Sequence, residues 1–324
     1  MNLNKKTILI TGGTGSFGKK CVEILLAKYN PFRVIIFSRD ELKQHEMRLH
    51  FNDERLNFFI GDVRDKARLR RAFQANVDIV IHAAALKQVP ACEYNPFEAI
   101  NTNIIGAQNI IDAAIDVGIP KVIALSTDKA VNPINLYGAT KLCSEKLFVQ
   151  GNAYSGLRQT RFSCIRYGNV VGSRGSVIPV FLNQRKNGKV TVTDPEMTRF
   201  WLTTDTAVEF VLRCIELMEG GEIFIPRIPS MGIMDLVKAV ANDCEVQVIG
   251  VRPGEKVHEV LISPQESHHT VELEDMFVIL PEYSSWEMKK WNSYKHLSKG
   301  FSYTSQTNDK WLKVEELKKM IETL

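Results

Sequence analysis

Thr7-Ile8-Leu9-Ile10-Thr11-Gly12-Gly13-Thr14-Gly15-Ser16-Phe17-Gly18 is the stretch that decides the fold. A β-prone run ends in a glycine-rich turn, and an amphipathic helical pattern over 19–28 follows at once. Glycines at 12, 15 and 18 permit a tight turn, close approach of a pyrophosphate to backbone amides, and close helix–sheet packing. A glycine triplet by itself is weak, because a merely structural turn uses the same residues. Its place after an N-terminal strand and before a helix makes the dinucleotide reading the stronger one. Gly12, Thr14, Gly15, Ser16, Phe17 and Gly18 are therefore the first cofactor-binding candidates.

Working outward, short buried strands are expected at 7–10, 33–37, 56–60, 79–82, 121–125 and 162–167. Helical patterns at 19–28, 67–73, 101–117 and 137–148 lie between them. This alternation predicts an α/β fold, a doubly wound parallel sheet of Rossmann type, with ligands outside the carboxyl ends of the strands. Residues 1–171 are assigned to a dinucleotide-binding domain. From 172 to 324, Pro- and Gly-bearing loops separate shorter elements, predicting a smaller, mainly substrate-binding domain. A strand near 222–226 is expected to return to the main sheet, interleaving the two domains. The stretch from Ser284 onward, rich in Trp, Lys and Ser, suggests no task.

The end of the second strand separates the two nicotinamide cofactors. NAD sites usually offer a carboxylate there to the ribose, whereas Arg receives a 2′-phosphate. The chain reads Ser38-Arg39-Asp40-Glu41-Leu42-Lys43, which favours NADP, with Asp40 slightly late for the ribose. Asp62 and Val63 are candidates for the adenine, although Asp62 at a strand–helix turn serves equally as an N-cap. Ala83, Ala84 and Ala85 are small enough to let a cofactor lie against backbone.

Hydrophobic residues make up 44% and charged residues 24% of the 324, which excludes a disordered chain. The net charge of +4 suits an anionic ligand but lacks the clustered basic footprint of a nucleic-acid binder. Six scattered cysteines without a C-x-x-C pair predict neither zinc nor a disulfide framework. His82, His258, His268 and His269 have no companion ligands at metal spacing, so no metal is expected. No apolar run spans a bilayer and the N-terminus leads straight into a strand, so a cytoplasmic protein without membrane contact is expected.

The chemistry is concentrated in Ser126-Thr127-Asp128-Lys129 and Tyr137-Gly138-Ala139-Thr140-Lys141. Tyr and Lys at i,i+4 share a helix face, and a nearby ammonium lowers a phenol's pKa. That pair serves hydride removal from an alcohol. The additional Asp128–Lys129 points to a further proton-transfer step, although a bare charged dipeptide is more often solvated.

Together these motifs resemble the extended short-chain dehydrogenase/reductase family. Within it, Ser126-Thr-Asp-Lys-Ala-Val-Asn-Pro-Ile-Asn-Leu-Tyr-Gly-Ala-Thr-Lys141 is similar to the inverting UDP-N-acetylglucosamine 4,6-dehydratases that begin pseudaminic acid synthesis. His82-Ala-Ala-Ala-Leu-Lys87, Arg166-Tyr-Gly-Asn-Val-Val-Gly-Ser-Arg-Gly-Ser176, Met197-Thr-Arg-Phe-Trp201 and Arg252-Pro-Gly-Glu-Lys-Val-His-Glu259 extend the resemblance over nearly the whole chain.

The resemblance implies NADP bound by the residues above and by Tyr137, Lys141 and Val170. It implies catalysis by Thr127, Asp128, Lys129, Tyr137 and Lys141. Tyr137, held as phenolate, takes the sugar 4-hydroxyl proton, with Thr127 on the same oxygen. Lys129, its pKa lowered by desolvation or a nearby cation, is the C5 base, and Asp128 is the acid; the residues also admit the reverse or a shared role. Retaining relatives carry Asp-Glu at this pair, so Lys129 is where the chain departs from them. For UDP-N-acetylglucosamine the implied positions are Lys87, Lys129, Asn169, Arg174, Gly175, Ser176, Val177, Ile178, Pro179, Thr193, Arg199, Arg252 and Glu255. The two arginines at 199 and 252 suit a diphosphate. The likeness also implies a closed homo-oligomer such as a hexamer. Rival readings are a nucleotide-sugar 4-epimerase, which needs no Asp-Lys pair, and a non-catalytic NADP-binding regulatory module, which needs no Tyr-Lys pair.

Overall fold

The structure, a computed structural model, describes residues 3–156, 159–172, 176–282 and 289–322. Parallel strands lie in the order Leu56–Ile60, Arg33–Ser38, Thr7–Thr11, Ile79–His82, Lys121–Leu125, Arg161–Ile165, Ile223–Pro226. The order turns back on itself at Thr7–Thr11, so the expected doubly wound sheet is present. Met276–Ile279, Thr270–Glu272 and Lys295–His296 extend it in antiparallel fashion to ten strands among the described residues.

Every residue of Thr7–Thr11 is buried. A parallel strand covered on both faces has no solvent side to colour with polar residues, which is why it reads as a continuous apolar run. Burying each Ile or Leu side chain there stabilises by about 1.5–3 kcal/mol. Helix Ser16–Lys28 packs on Thr204–Leu217, while Lys66–Phe73, Gly106–Val117 and Leu136–Tyr154 form a second row.

Helix 101–117 is not regular throughout. Asn101–Ile105 is a π turn that precedes the α-helix Gly106–Val117. Gly106 lies so close to Val63 that an added Cβ would sit 2.9 Å from its Cγ2. Within the turn, Asn103 bonds the Leu86 backbone N–H and C=O at 2.9 Å and the Thr140 hydroxyl at 3.0 Å. Helix Glu41–Phe51 was not anticipated by the sequence pattern; Asp40 caps it by accepting from the Lys43 N–H.

A second apolar cluster gathers Ile178, Val190, Trp201, Met231 and Leu236 among helices Val177–Arg185, Ile233–Ala241 and Val314–Glu322. Its small sheet, Asn169–Val170, Thr198–Leu202 and Ser230–Gly232, begins just past the end of Arg161–Ile165. Downstream of the undescribed 283–288, which include Ser284, the chain comes back to the main sheet. Trp291 is fully buried and donates to Glu222 Oε1 at 3.2 Å. Among the described residues no helix is long and apolar enough to cross a membrane.

Candidate active site

A cavity of about 750 Å³ opens at the carboxyl ends of the parallel strands. Residues that directly follow successive strands line it: Gly12, Arg39, Gly61, Ala83 and Ser126.

Its floor is the glycine loop. Gly12 has φ +65°, and a Cβ there would come within 2.9 Å of Ala84 Cα. Gly15 opens helix Ser16–Lys28 without any side-chain cap, leaving the first N–H groups directed at the cavity. Gly18 does not line the cavity; a side chain there would drive into the Gly13 backbone, so its task is packing. Loop, uncapped helix end and small alanines together fit a dinucleotide.

Beyond the second strand, Gln44 holds the Ser38 carbonyl and hydroxyl, each at 3.0 Å. Arg39 is 58% exposed and 3.6 Å from Asp62, which Arg64 already clasps. Asp40 is bound to Lys43 through both backbone and side chain, so it belongs to its own helix. Ser38, Arg39, Asp40, Lys43, Asp62 and Val63 line the cavity; Glu41 and the exposed Leu42 do not.

At the reacting end, Asn135 caps helix Leu136–Tyr154 by accepting from the Gly138 N–H at 2.7 Å. Gly138 is required because a Cβ would collide with the Lys129 carbonyl, so the two segments proposed from the sequence to carry the chemistry touch backbone to backbone. Thr127, Lys129, Tyr137 and Lys141 all line the cavity. Asp128 does not; it is fully buried behind Thr127, whose hydroxyl donates to Asp128 Oδ1 at 2.8 Å.

The electrostatics differ from the sequence expectation in two respects. Burial pushes the Tyr137 phenol up to about 12, opposed by Lys129 and by the Thr127 hydroxyl. Lys141 is itself lowered by burial, with Cys164 and Glu145 pulling the other way, so the cation favouring the phenolate here is Lys129. Lys129 Nζ lies 3.1 Å from Asp128 and 3.2 Å from Glu259. Burial would lower its pKa, but these two carboxylates more than offset that, against a smaller push from Arg199. Lys129 is thus held as an ammonium, not as the pre-lowered amine.

Of the sugar-nucleotide candidates, Lys87, Asn169 and Ser176 reach the cavity, as does Val170, a cofactor candidate. Arg174 and Gly175 lie outside the described residues. Val177, Ile178 and Pro179 begin helix Val177–Arg185, with Ile178 buried in the second core. Thr193 bonds Met197 Sδ at 3.1 Å, and Arg252 is exposed. Arg199 is buried and donates to the carbonyls of Thr198, Val257 and Lys256, with Glu255 3.9 Å away. None of Thr193, Arg199, Arg252 or Glu255 lines this cavity. Glu259 escaped sequence reasoning as a site residue; its only signal was its place at the end of the 252–259 run.

A dinucleotide loop and a Tyr–Lys helix meeting in one cavity on a doubly wound sheet define an extended short-chain dehydrogenase/reductase. A family model described as "Polysaccharide biosynthesis protein" matches residues 8–281, and the chain belongs to that family. It is 53% identical over 327 residues to a Campylobacter jejuni protein named UDP-N-acetylglucosamine 4,6-dehydratase (inverting), covering 98% of both. It is 44% identical to a Rickettsia conorii protein named UDP-glucose 4-epimerase, covering 98% of this chain and 96% of that one. The X-ray structure of Pen from Bacillus thuringiensis superposes with a TM-score of 0.91 at 39% identity, covering 100% and 99% of the two chains.

Proposed function

We propose that the chain is an NADP-dependent, C5-inverting UDP-N-acetylglucosamine 4,6-dehydratase that makes UDP-2-acetamido-2,6-dideoxy-β-L-arabino-hexos-4-ulose, the entry to pseudaminic acid. The observation that carries this reading is Lys129: its ammonium enters the cavity of the glycine loop beside Thr127 and Tyr137. An epimerase has no use for that group.

Held along the glycine loop, a dinucleotide would supply the hydride acceptor and donor that an internal transfer from C4 to C6 requires. Ser38, Arg39 and Lys43 would hold a 2′-phosphate by charge-assisted hydrogen bonds, with Lys43 exchanging its pairing with Asp40 for the phosphate. Tyr137, once ionised with the help of the Lys129 ammonium, takes the 4-hydroxyl proton, and Thr127 orients that oxygen. Lys129, once it has given up its resting proton to solvent, takes the C5 proton and passes it to the departing 6-hydroxyl, while Asp128, read from the sequence as the acid, is buried outside the cavity and acts only through Thr127 and Lys129. Residues 1–171 carry the dinucleotide and 172–324 mainly the sugar nucleotide. Asn169, Ser176 and the loop from Arg174 to Pro179 shape the sugar end. Arg199 supports that end through backbone carbonyls, and the exposed Arg252 is the arginine free to reach the diphosphate. Tyr94 and Phe97, 88% and 77% exposed, supply an apolar patch for homo-oligomer formation. Six free thiols fit the reducing cytoplasm.

Incubation with UDP-N-acetylglucosamine in heavy water, followed by NMR and mass spectrometry, tests the reading. Water loss, deuterium at C5 and inverted C5 geometry are expected. The 4-epimer without dehydration would select the epimerase, and dinucleotide binding without turnover the regulatory module.

A further inference from the structure

Glu259 is a buried carboxylate that the reaction above leaves without a task. Its side chain is 2% exposed, its Oε1 lies 3.2 Å from Lys129 Nζ, and Arg199 Nε is 3.9 Å from the same oxygen. Its Oε2 is buried without a hydrogen-bond partner among the described residues. Such an orphaned oxygen is uncommon in a merely structural carboxylate.

We infer that Glu259 is a positioning residue for the dehydratase reaction, anchoring Lys129 Nζ in the cavity and fixing its charge before C5 is attacked. The inference rests on the dehydratase reading. Asp128 is Lys129's chain neighbour and moves with it, so it cannot by itself aim a long, flexible amine. Glu259 comes from a different part of the fold, just ahead of strand Val260–Ile262. With Asp128 it brackets the ammonium from two sides, which fixes both ends of the reach.

Among the described residues, few groups face Lys129. Asp128 lies on its own turn, Tyr137 on helix Leu136–Tyr154, Arg199 on strand Thr198–Leu202, and Glu259 before Val260–Ile262; Lys256 lies close enough to feel its charge. Of these, Asp128 and Glu259 favour the ammonium, while Arg199 opposes it. Replacing Glu259 by a neutral isostere therefore releases the amine at lower pH.

The test is the pH dependence of C5 deuterium uptake from heavy water in the wild type, Glu259→Gln and Glu259→Asp, with dinucleotide binding and 4-keto formation as controls of folding. Glu259→Gln is expected to move the rising limb to lower pH by about one unit, a tenfold change in neutral amine at fixed pH on that limb, whatever the amplitude. Glu259→Asp, which withdraws the carboxylate by one methylene, moves it the same way by less. It carries the test if the glutamine variant does not fold. A limb that stays in place in the folded variants, with only a uniform loss of rate, overturns the inference alone. Wild-type protein that binds UDP-N-acetylglucosamine but never exchanges C5 overturns the dehydratase reading, and this inference with it.

Discussion

Arg166 and Glu145 form a two-pronged ion pair wholly inside the protein, with Nη2–Oε2 2.7 Å, Nε–Oε1 3.1 Å and each side chain 1% exposed. Glu145 lies on the helix that carries Tyr137 and Lys141, and Arg166 directly follows the strand Arg161–Ile165. The guanidinium also donates to the Leu261 carbonyl and to Glu266, each at 2.9 Å. One side chain thereby joins the helix of the Tyr–Lys pair, the sheet, and the segment just past Glu259.

Truncating Arg166 strands the charge of Glu145, whereas Arg166 without Glu145 keeps Glu266. Arg166→Met is expected to cost about 3 kcal/mol or more in urea unfolding, and replacing both Glu145 and Arg166 by Met costs less. Equal losses for the single and double variants would contradict this account.

Gly12→Ala forces a side chain onto φ +65° and against Ala84. Strain of about 1–3 kcal/mol is expected, and with it at least a tenfold weaker dinucleotide Kd by fluorescence titration. Unchanged affinity would mean that the loop yields without cost.

Arg39→Ala and Lys43→Ala bear on the choice of cofactor. Each is expected to weaken NADP by about ten- to a hundredfold, as for loss of a charged hydrogen bond of about 1.5–3 kcal/mol, and to leave NAD nearly untouched. Parallel weakening of both dinucleotides would remove the 2′-phosphate assignment.

Lys129→Met should bind dinucleotide but oxidise C4 more slowly, because the cation that favours the Tyr137 phenolate is gone, and the reduced cofactor it does form should persist while water loss falls further, by about 10²–10⁴. Normal dehydration in this variant would clear Lys129 of the C5 step.

His82 ends the fourth strand of the chain fully buried, bonded to the Thr11 hydroxyl at 2.8 Å. Burial, with Lys141 adding to it, lowers its pKa from 6.5 to about 3. The folded value lies below the unfolded one, so as pH falls the unfolded chain takes up the proton first. The neutral imidazole's contribution is complete above pH 6.5 and drains away as pH falls toward 3. His82→Asn should flatten the pH dependence of stability in that window by up to about 1.4 kcal/mol per pH unit. An unaltered slope from chemical denaturation would show that other groups govern acid unfolding.

The sequence made the parallel strands, the glycine loop and the Tyr137–Lys141 face legible because each is a local pattern. The strand, the turn and the helix repeat lie within one short window. Helix Glu41–Phe51 was hidden by its polarity: apart from Gln44 and Met47, none of its residues is buried. The π turn at Asn101–Ile105 followed from contacts of Asn103 and Gly106 with segments far away, which no periodicity records. Arg199 read as a surface arginine free for a diphosphate, yet backbone carbonyls drew it inward. The charge of Lys129 was misjudged for a related reason. The sequence showed Asp128 next to it, but only the fold brings Glu259 to its other side.

That last contact bears on how such chains diverge. Recombination between two members of the family near residue 172 would look harmless, because it respects the change from the dinucleotide half to the sugar half. It would nevertheless give Lys129 a carboxylate selected beside a different neighbour. Residues 128, 129, 199 and 259 therefore form one unit of inheritance, and a chimera that splits them inherits a cofactor site and a sugar site without the proton chemistry that joins them.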